Sequence, residues 1–541
     1  MKKGKVISIS GPTVTVDIPD LTLYERVIVG EGKLQGEVVR LQPRSAVVQV
    51  YEETKGLGVG EPAEGMGTPL TVCLAPGLLG TIYDGLQRPL QRLGEEFGPF
   101  IRPGDVLSFV PCATRYRFVP EKKPGSRVSR GEYIGYVEEG AFRHYVAAPV
   151  DGVLGEYAGE EEICLEDPAA FLEDGTAVNL RQEWPIRVAR PFIRKKFPRD
   201  LLVTGQRCVD FLFPLARGGT AVVPGGFGTG KTILEQAIAK FAEVDVVVYV
   251  GCGERGNEMA EMLEEFAGMD DPWTGRRLME RTVLVANTSN MPVAAREASI
   301  YTAVTMAEYY RDMGLHVLLL ADSISRWAEA LREISSALEE MPGEEGYPTY
   351  LASRLAGFMS RAGVVETLSG EIGSLSMVLS VSPPGGDFTE PTTQACLRNT
   401  GTFLMLDTDL AHRRHFPAIN WSQSFSLYEK EVDEFCAREI AGRWGEVKNR
   451  CRALLEEEEK LREIAGIVGL EGLQDKDLLL MRVAGQIRTR FLCQNSFTED
   501  AFSAPAATFE LIEGIINRYE RSLERIGRGE PVSSVLEEMG T

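Results

Sequence analysis

Gly225-Gly226-Phe227-Gly228-Thr229-Gly230-Lys231-Thr232 follows the spacing Gly-x-x-x-x-Gly-Lys-Ser/Thr. Glycines let a backbone take positive φ and turn successive N–H groups inward onto a phosphate. The apolar run Thr220–Val223 enters the loop, and Ile233–Phe241 leaves it with helical spacing. A helix beginning near Lys231 adds the positive end of its dipole. In this pattern the lysine, Lys231, reaches the β- and γ-phosphates and the hydroxyl, Thr232, ligates Mg²⁺. The strand before and the helix after distinguish the match from a chance one. Gly225, Gly226, Phe227, Gly228, Thr229, Gly230, Lys231 and Thr232 are therefore the expected ATP-binding loop.

The surroundings of the loop define the fold class. From about 200 to 420, short apolar runs (Thr220–Val223, Val244–Val250, Thr282–Ala286, Val317–Ala321, Met377–Val381) alternate with helical stretches. Strands covered on both faces read as continuous apolar runs, so this region is an α/β domain on a mostly parallel sheet. Leu318-Leu319-Leu320-Ala321-Asp322 ends a strand in a carboxylate at the sheet's carboxyl edge, where Asp322 supports the metal. Val244–Val250 runs into Gly251-Cys252-Gly253-Glu254-Arg255-Gly256 at the same edge. Glu254 is the candidate carboxylate for orienting an attacking water. From its position alone it reads equally well as a first-turn acid stabilised by a helix dipole.

Outside this domain, residues 1–72 hold short β-rich runs separated by Gly and Pro turns, the pattern of a small β-barrel. Residues 110–185 read as a second β-rich module. Residues 421–541 read as helical, with Leu454, Leu455, Leu461, Ile464 and Ile467 at helical spacing. The Glu456–Glu459 run reads as a wet helix face, and the basic stretch Arg187–Arg199 as a solvated linker. His412 and His415 read as part of a polar loop. The expected division is thus 1–72, 110–185, 200–420 and 421–541.

The 541 residues carry 58 Lys+Arg against 79 Asp+Glu, a net charge of −21. Such a chain repels phosphate backbones, so no nucleic acid is expected as a partner. No apolar stretch approaches the roughly 20 residues that cross a bilayer. No apolar segment follows Met1-Lys2-Lys3-Gly4-Lys5, so no signal peptide is expected. The nine cysteines lack a C-x-x-C pair, which fits reduced thiols and a cytoplasmic location.

Longer strings carry a resemblance. Gly251–Met259 (GCGERGNEM), Asn287–Tyr301 (NTSNMPVAAREASIY), Ser325–Ser335 (SRWAEALREIS) and Glu339–Arg354 (EEMPGEEGYPTYLASR) resemble the catalytic A subunit of V-type and A-type rotary ATPases. So do Ser382–Phe388 (SPPGGDF), His415–Trp421 (HFPAINW) and Tyr83–Leu90 (YDGLQRPL). The resemblance implies an N-terminal β-barrel, a bulge insertion, a nucleotide-binding domain and a C-terminal helical domain. It implies an alternating hexamer with B subunits, central-stalk and peripheral-stalk partners, and ATP hydrolysis or synthesis coupled to proton or sodium transport. Mg²⁺ with ATP or ADP is the implied cofactor, Glu254 the water-orienting acid, and Arg255 and Arg326 the groups beside the γ-phosphate. Phe416 is implied to stack on adenine, with Phe502 as the opposite wall; plain core packing is the alternative for both. The transition-state arginine is implied to come from the B subunit. The chain would then sit on the cytoplasmic side, touching the membrane only through the complex.

The sequence departs from that pattern at Gly226, where Pro is usual, at Thr229, where eukaryotic relatives carry Cys, in Met359–Arg361 and 395–411, and in a short C-terminus. The rival readings are a homohexameric translocase, a flagellar or type III export ATPase, and a noncatalytic subunit. The first needs basic aromatic loops facing a pore. The second would lack the 110–185 insertion. The third would tolerate loss of Glu254.

Overall fold

The computed structural model describes residues 2–98, 104, 107, 114–140, 142–157, 162–469 and 472–538. Parts of the expected 110–185 module (110–113, 141 and 158–161) and the last three residues of the chain lie outside them. Contacts divide the chain into two compact units. The first comprises Met1–Phe197, Val244–Val381 and Thr389–Asn399; the second comprises Pro198–Glu243, Ser382–Phe388 and Thr400–Thr541.

The first unit begins with a closed barrel of six strands: β1 (Lys2–Ser10), β2 (Thr13–Asp17), β3 (Glu25–Val29), β4 (Leu34–Leu41), β5 (Ala46–Val50) and β6 (Pro62–Pro69), in the order β1-β2-β5-β4-β3-β6. Valines at period two fill it: Val14 and Val16, Val27 and Val29, and Val48 and Val50 are all fully buried. The β6 strand was not legible in the sequence. Its Pro-Ala-Glu-Gly-Met-Gly-Thr-Pro has no alternating β-branched residues, yet it pairs antiparallel with both β1 and β3 and removes the barrel's edges. The insertion follows as two four-stranded antiparallel sheets, one containing Tyr133–Glu139 and Phe142–Ala147, the other Gly152–Tyr157 and Pro168–Leu172.

Five parallel strands form the rest of this unit's sheet, in the order Ile82–Tyr83, Thr282–Thr288, Val246–Glu254, His316–Asp322, Ile372–Val381. Val246 through Cys252 and Val317 through Asp322 are buried, as the apolar runs required. The helix Val293–Arg311 packs on these strands and is buried on every side from Ala294 to Arg311.

Arg187–Arg199 is the solvated linker expected only in part: residues 191–195 are exposed, while Arg187 and Arg190 are held in ion pairs. The Arg187 guanidinium bridges Glu37 of the barrel (3.0 Å) and Glu297 of the buried helix (2.7 Å), and Arg354 also reaches Glu297 (3.1 Å). Arg190 is buried, and Arg194–Lys196 pairs as a strand with Gly363–Glu366. Basic residues look solvent-bound in sequence when their acidic partners lie more than a hundred residues away.

In the second unit, Thr220–Pro224 pairs parallel with Thr402–Phe403, and Phe425–Ser426 pairs antiparallel with the latter. A strand therefore occupies the start of the region expected to be helical; its helices begin with Glu429–Glu439, then Trp444–Val468, Asp475–Gln486, Pro505–Gly527 and Val532–Glu538. Trp444 holds their core, stacked on Phe509 at 5.8 Å and edge-on to Phe211 at 4.9 Å. One further expectation is corrected here. Glu458 is 1% exposed and ion-paired to Arg462 and Arg488, so the Glu456–Glu459 run is not uniformly wet. Leu454, Leu455, Leu461, Ile464 and Ile467 all lie on the helix Trp444–Val468, as their spacing required, with Ile464 and Ile467 exposed near its end. The eight described cysteines are free.

Candidate nucleotide site

The phosphate loop belongs to the second unit. Thr220–Pro224 delivers the chain to Gly225, and the helix Lys231–Phe241 leaves it. Gly230 caps that helix at φ 85°, a left-handed conformation that glycine takes without a Cβ penalty. Lys231 Nζ donates to the carbonyls of Gly225 and Gly226, each at 2.8 Å, and Thr229 Oγ1 donates to the Gly226 carbonyl at 2.9 Å. The ammonium is thus curled over the loop, where anionic oxygens would replace carbonyl ones. Thr232 is half-buried in the helix's first turn, and Phe227 stands 89% exposed at the loop's outer tip.

Phe416 lies beside this loop. Its ring carbons come within 3.5 Å of where a Cβ on Gly230 would sit, and 37% of the residue is exposed, so one face is open to a flat partner. Phe502 sits differently. It packs against Phe241 (ring centroids 5.5 Å apart), with Ala237 and Ala501 in the same apolar cluster. That position matches the core-packing alternative, while leaving the ring half-buried.

The acidic residues belong to the first unit. Parallel strands bring their carboxyl ends to one edge, and the register sets Gly251 opposite Asp322 and Glu254 opposite Thr288. Asp322 is 4% exposed, and its Oδ1 accepts from Ser380 Oγ at 2.5 Å. Glu254 ends its strand, and the following Arg255 caps the helix Gly256–Gly268. Burial pushes the Glu254 carboxyl up to about 7, reinforced by the charges of Asp322 and then Glu258; Arg326 opposes the shift. Three carboxylates and one guanidinium therefore meet at this edge.

Arg326 is drawn close by Gly253. A Cβ there would meet Arg326 Cβ at 2.8 Å and Arg296 Cδ at 3.1 Å, and φ is 75°. Arg326 Nη1 is held by Glu329 at 2.9 Å and stays half exposed. Arg255 is more open, at 3.8 Å from Glu258. Ser380, Glu258 and Arg296 were missed in the sequence. Each acts across strands or turns, and no local spacing announces it.

A Gly-x-x-x-x-Gly-Lys-Thr loop between strand and helix, with acids at the carboxyl edge of a parallel sheet, defines the phosphate-loop class of nucleotide-binding domain. Comparison with known proteins gives the branch. The ATP synthase alpha/beta family, nucleotide-binding domain, matches residues 205–426. That family's beta-barrel domain matches 6–67, its barrel-sandwich domain 108–187, and the C-terminal domain of V and A type ATP synthase 433–536. The A subunit of the A-type ATP synthase of Methanopyrus kandleri is 50% identical over 99% of this chain and 92% of its own length. The V-type ATP synthase alpha chain of Anaeromyxobacter dehalogenans is 50% identical over 99% and 93%. The assembled type III secretion ATPase EscN of enteropathogenic E. coli shares the fold at a TM-score of 0.70, with 20% identity, covering 95% of this chain and 100% of its own. The chain belongs to the A-type and V-type branch of the ATP synthase alpha/beta family, as the catalytic subunit of a rotary ATPase. The export-ATPase reading is the weaker one, since its likeness is one of fold alone.

Proposed function

We propose that this chain makes and hydrolyses ATP at an interface with a B subunit, in an alternating hexamer on central and peripheral stalks. The work is coupled to proton or sodium transport through a membrane sector, and the chain sits on the cytoplasmic face, reaching the membrane only through the complex. In this reading residues 1–72, 110–185, 200–420 and 421–541 are the four working modules. The observation that carries it is Lys231 curled onto the loop carbonyls of a Gly-x-x-x-x-Gly-Lys-Thr turn.

The residues divide the chemistry as follows. The loop Gly225–Thr232 cradles phosphates by its N–H groups, and Lys231 neutralises the β- and γ-oxygens. Mg²⁺, when bound with the nucleotide, draws charge from the phosphate oxygens. Thr232 and Asp322 supply oxygen donors, the kind this ion takes. Among the described residues no group of three or more His, Cys, Asp or Glu could hold a metal, which fits an ion held largely by phosphate and water. Glu254 orients the attacking water and accepts its proton; a carboxyl raised to about 7 is suited to that role near neutral pH. Arg255 and Arg326 meet the γ-phosphate side, Phe416 stacks on adenine, and Phe502, packed against Phe241 but only half-buried, turns its remaining face to the further wall. An arginine from the B subunit completes the charge balance in the transition state, worth typically ~10³–10⁵ in rate.

Two measurements test this. Purification from its native host should bring down a B-type partner. Nucleotide titration should show ADP binding that Lys231→Ala weakens at least about tenfold, or ~1.4 kcal/mol. A chain that purifies alone, or binds ADP equally well without Lys231, contradicts the proposal.

A further inference from the structure

The first unit holds a second cleft, remote in the chain from the motifs above. It has a volume of about 340 Å³, between the insertion and the last turn of the helix Val293–Arg311. Tyr133, Tyr145, Trp184 and Tyr309 give it aromatic walls, and Arg130, Arg181 and Arg190 line it as well. Three guanidinium groups around one hollow are unexpected in a chain of net charge −21.

Arg190 is the telling residue. It is 9% exposed and held rigidly: Nε donates to Asp312 at 2.5 Å, Nη2 donates to Gln182 at 3.2 Å, and the guanidinium lies over the Trp184 ring at 4.7 Å. Its Nη1 is buried without a hydrogen-bond acceptor among the described residues. An unmet donor on a buried cation costs more than a neutral one, because desolvation is not recovered. The acids that line the cleft are already engaged. Asp312 also accepts from Arg311 at 2.6 Å, and Glu183 accepts from Thr71 at 2.8 Å. The cleft therefore sets a rigidly held guanidinium in its wall, with Arg130 and the Glu166-paired Arg181 beside it, and leaves a cation little to bind.

The walls fit a flat body. Tyr133 and Tyr145 stack at 4.5 Å with planes 11° apart, and the Tyr133 hydroxyl is tied to the Asp312 carbonyl, so the pair is fixed before any ligand arrives. The volume is at the small end of ligand sites, which run from about 300 to 1,000 Å³. It suits one ring with an oxyanion rather than a dinucleotide.

We propose that this cleft is a second ligand site, taking a small organic anion whose phosphoryl or carboxylate oxygens meet Arg190 and whose ring lies against the tyrosines and Trp184. The test is calorimetric titration of the full chain with phenyl phosphate and, separately, benzoate, in excess ADP to fill the phosphate loop. At least one probe should bind, and the stronger one names the oxyanion class. Leu368→Trp, at a lining residue 38% exposed, blocks the cleft without touching the ion pairs and should weaken binding at least tenfold. Arg190→Gln should do the same; if it fails to fold for want of the Asp312 pair, Leu368→Trp decides alone. Binding of neither probe, or equal binding by wild type and Leu368→Trp, overturns the proposal.

Discussion

At the residue scale, the phosphate loop separates glycines that must be glycine from one that need not be. A Cβ on Gly225 would sit 2.6 Å from Thr229 Oγ1 and 2.8 Å from Leu406 Cβ. A Cβ on Gly226 meets nothing nearer than Thr408 Oγ1 at 3.4 Å. Gly225→Ala should therefore cost about 1–3 kcal/mol through overpacking and weaken ADP, whereas Gly226→Ala should stay within about 0.5 kcal/mol; chemical denaturation of each variant reads the difference. Glu254 carries the pH prediction. Its folded pKa lies above the ordinary carboxyl value, so the protonated, non-accepting form gains population as pH falls through about 7. ATPase activity of the assembled complex should drop on that acid limb. Glu258→Gln removes one of the charges that raise it, so the limb should move to lower pH. A limb that stays in place would separate it from Glu254.

At the element scale, what the sequence disclosed and what it hid follow one rule. Runs such as Val246–Cys252 and Val317–Ala321 were legible because strands buried on both faces cannot be written otherwise. The loop was legible because its chemistry is local. The β6 strand was hidden because a strand that closes a barrel can be held by its neighbours' backbones rather than by its own side chains. Glu458 and Arg187 were hidden because their burial depends on partners distant in sequence: Arg488 for the one, Glu37 and Glu297 for the other. The Arg187 cluster ties the barrel to the helix Val293–Arg311 and yields a prediction at this scale. Arg187→Gln leaves Glu37 without its cation and Glu297 with Arg354 alone, both carboxylates about 2% exposed at the side chain. It should destabilise the first unit by roughly 3–5 kcal/mol, seen as a lower denaturation midpoint. The conservative Arg187→Lys should recover only part of that, since one ammonium cannot reproduce the forked contact. A midpoint unchanged in Arg187→Gln would show the cluster to be incidental.

At the scale of the whole molecule, the fold class expected from the sequence appears as a closed barrel, antiparallel sheets, parallel strands, a phosphate loop and C-terminal helices. Among the described residues no helix is long and apolar enough to cross a membrane. The proposed shared site predicts that the isolated chain binds ADP yet turns over ATP slowly, because that proposal draws the arginine that neutralises the transition state from a B subunit. Adding that partner should raise turnover by orders of magnitude in a steady-state assay; fast hydrolysis by a monomeric preparation would refute the shared site. The central claim, a triphosphate on the 225–232 loop hydrolysed by a water that Glu254 directs, is tested most directly by Mg-ATP hydrolysis in the assembled complex before and after Glu254→Gln. The account predicts at least a hundredfold fall in rate, on the order of 3 kcal/mol in barrier, with ADP affinity retained. An unchanged rate, or a complex with no affinity for ATP or ADP at all, would contradict it.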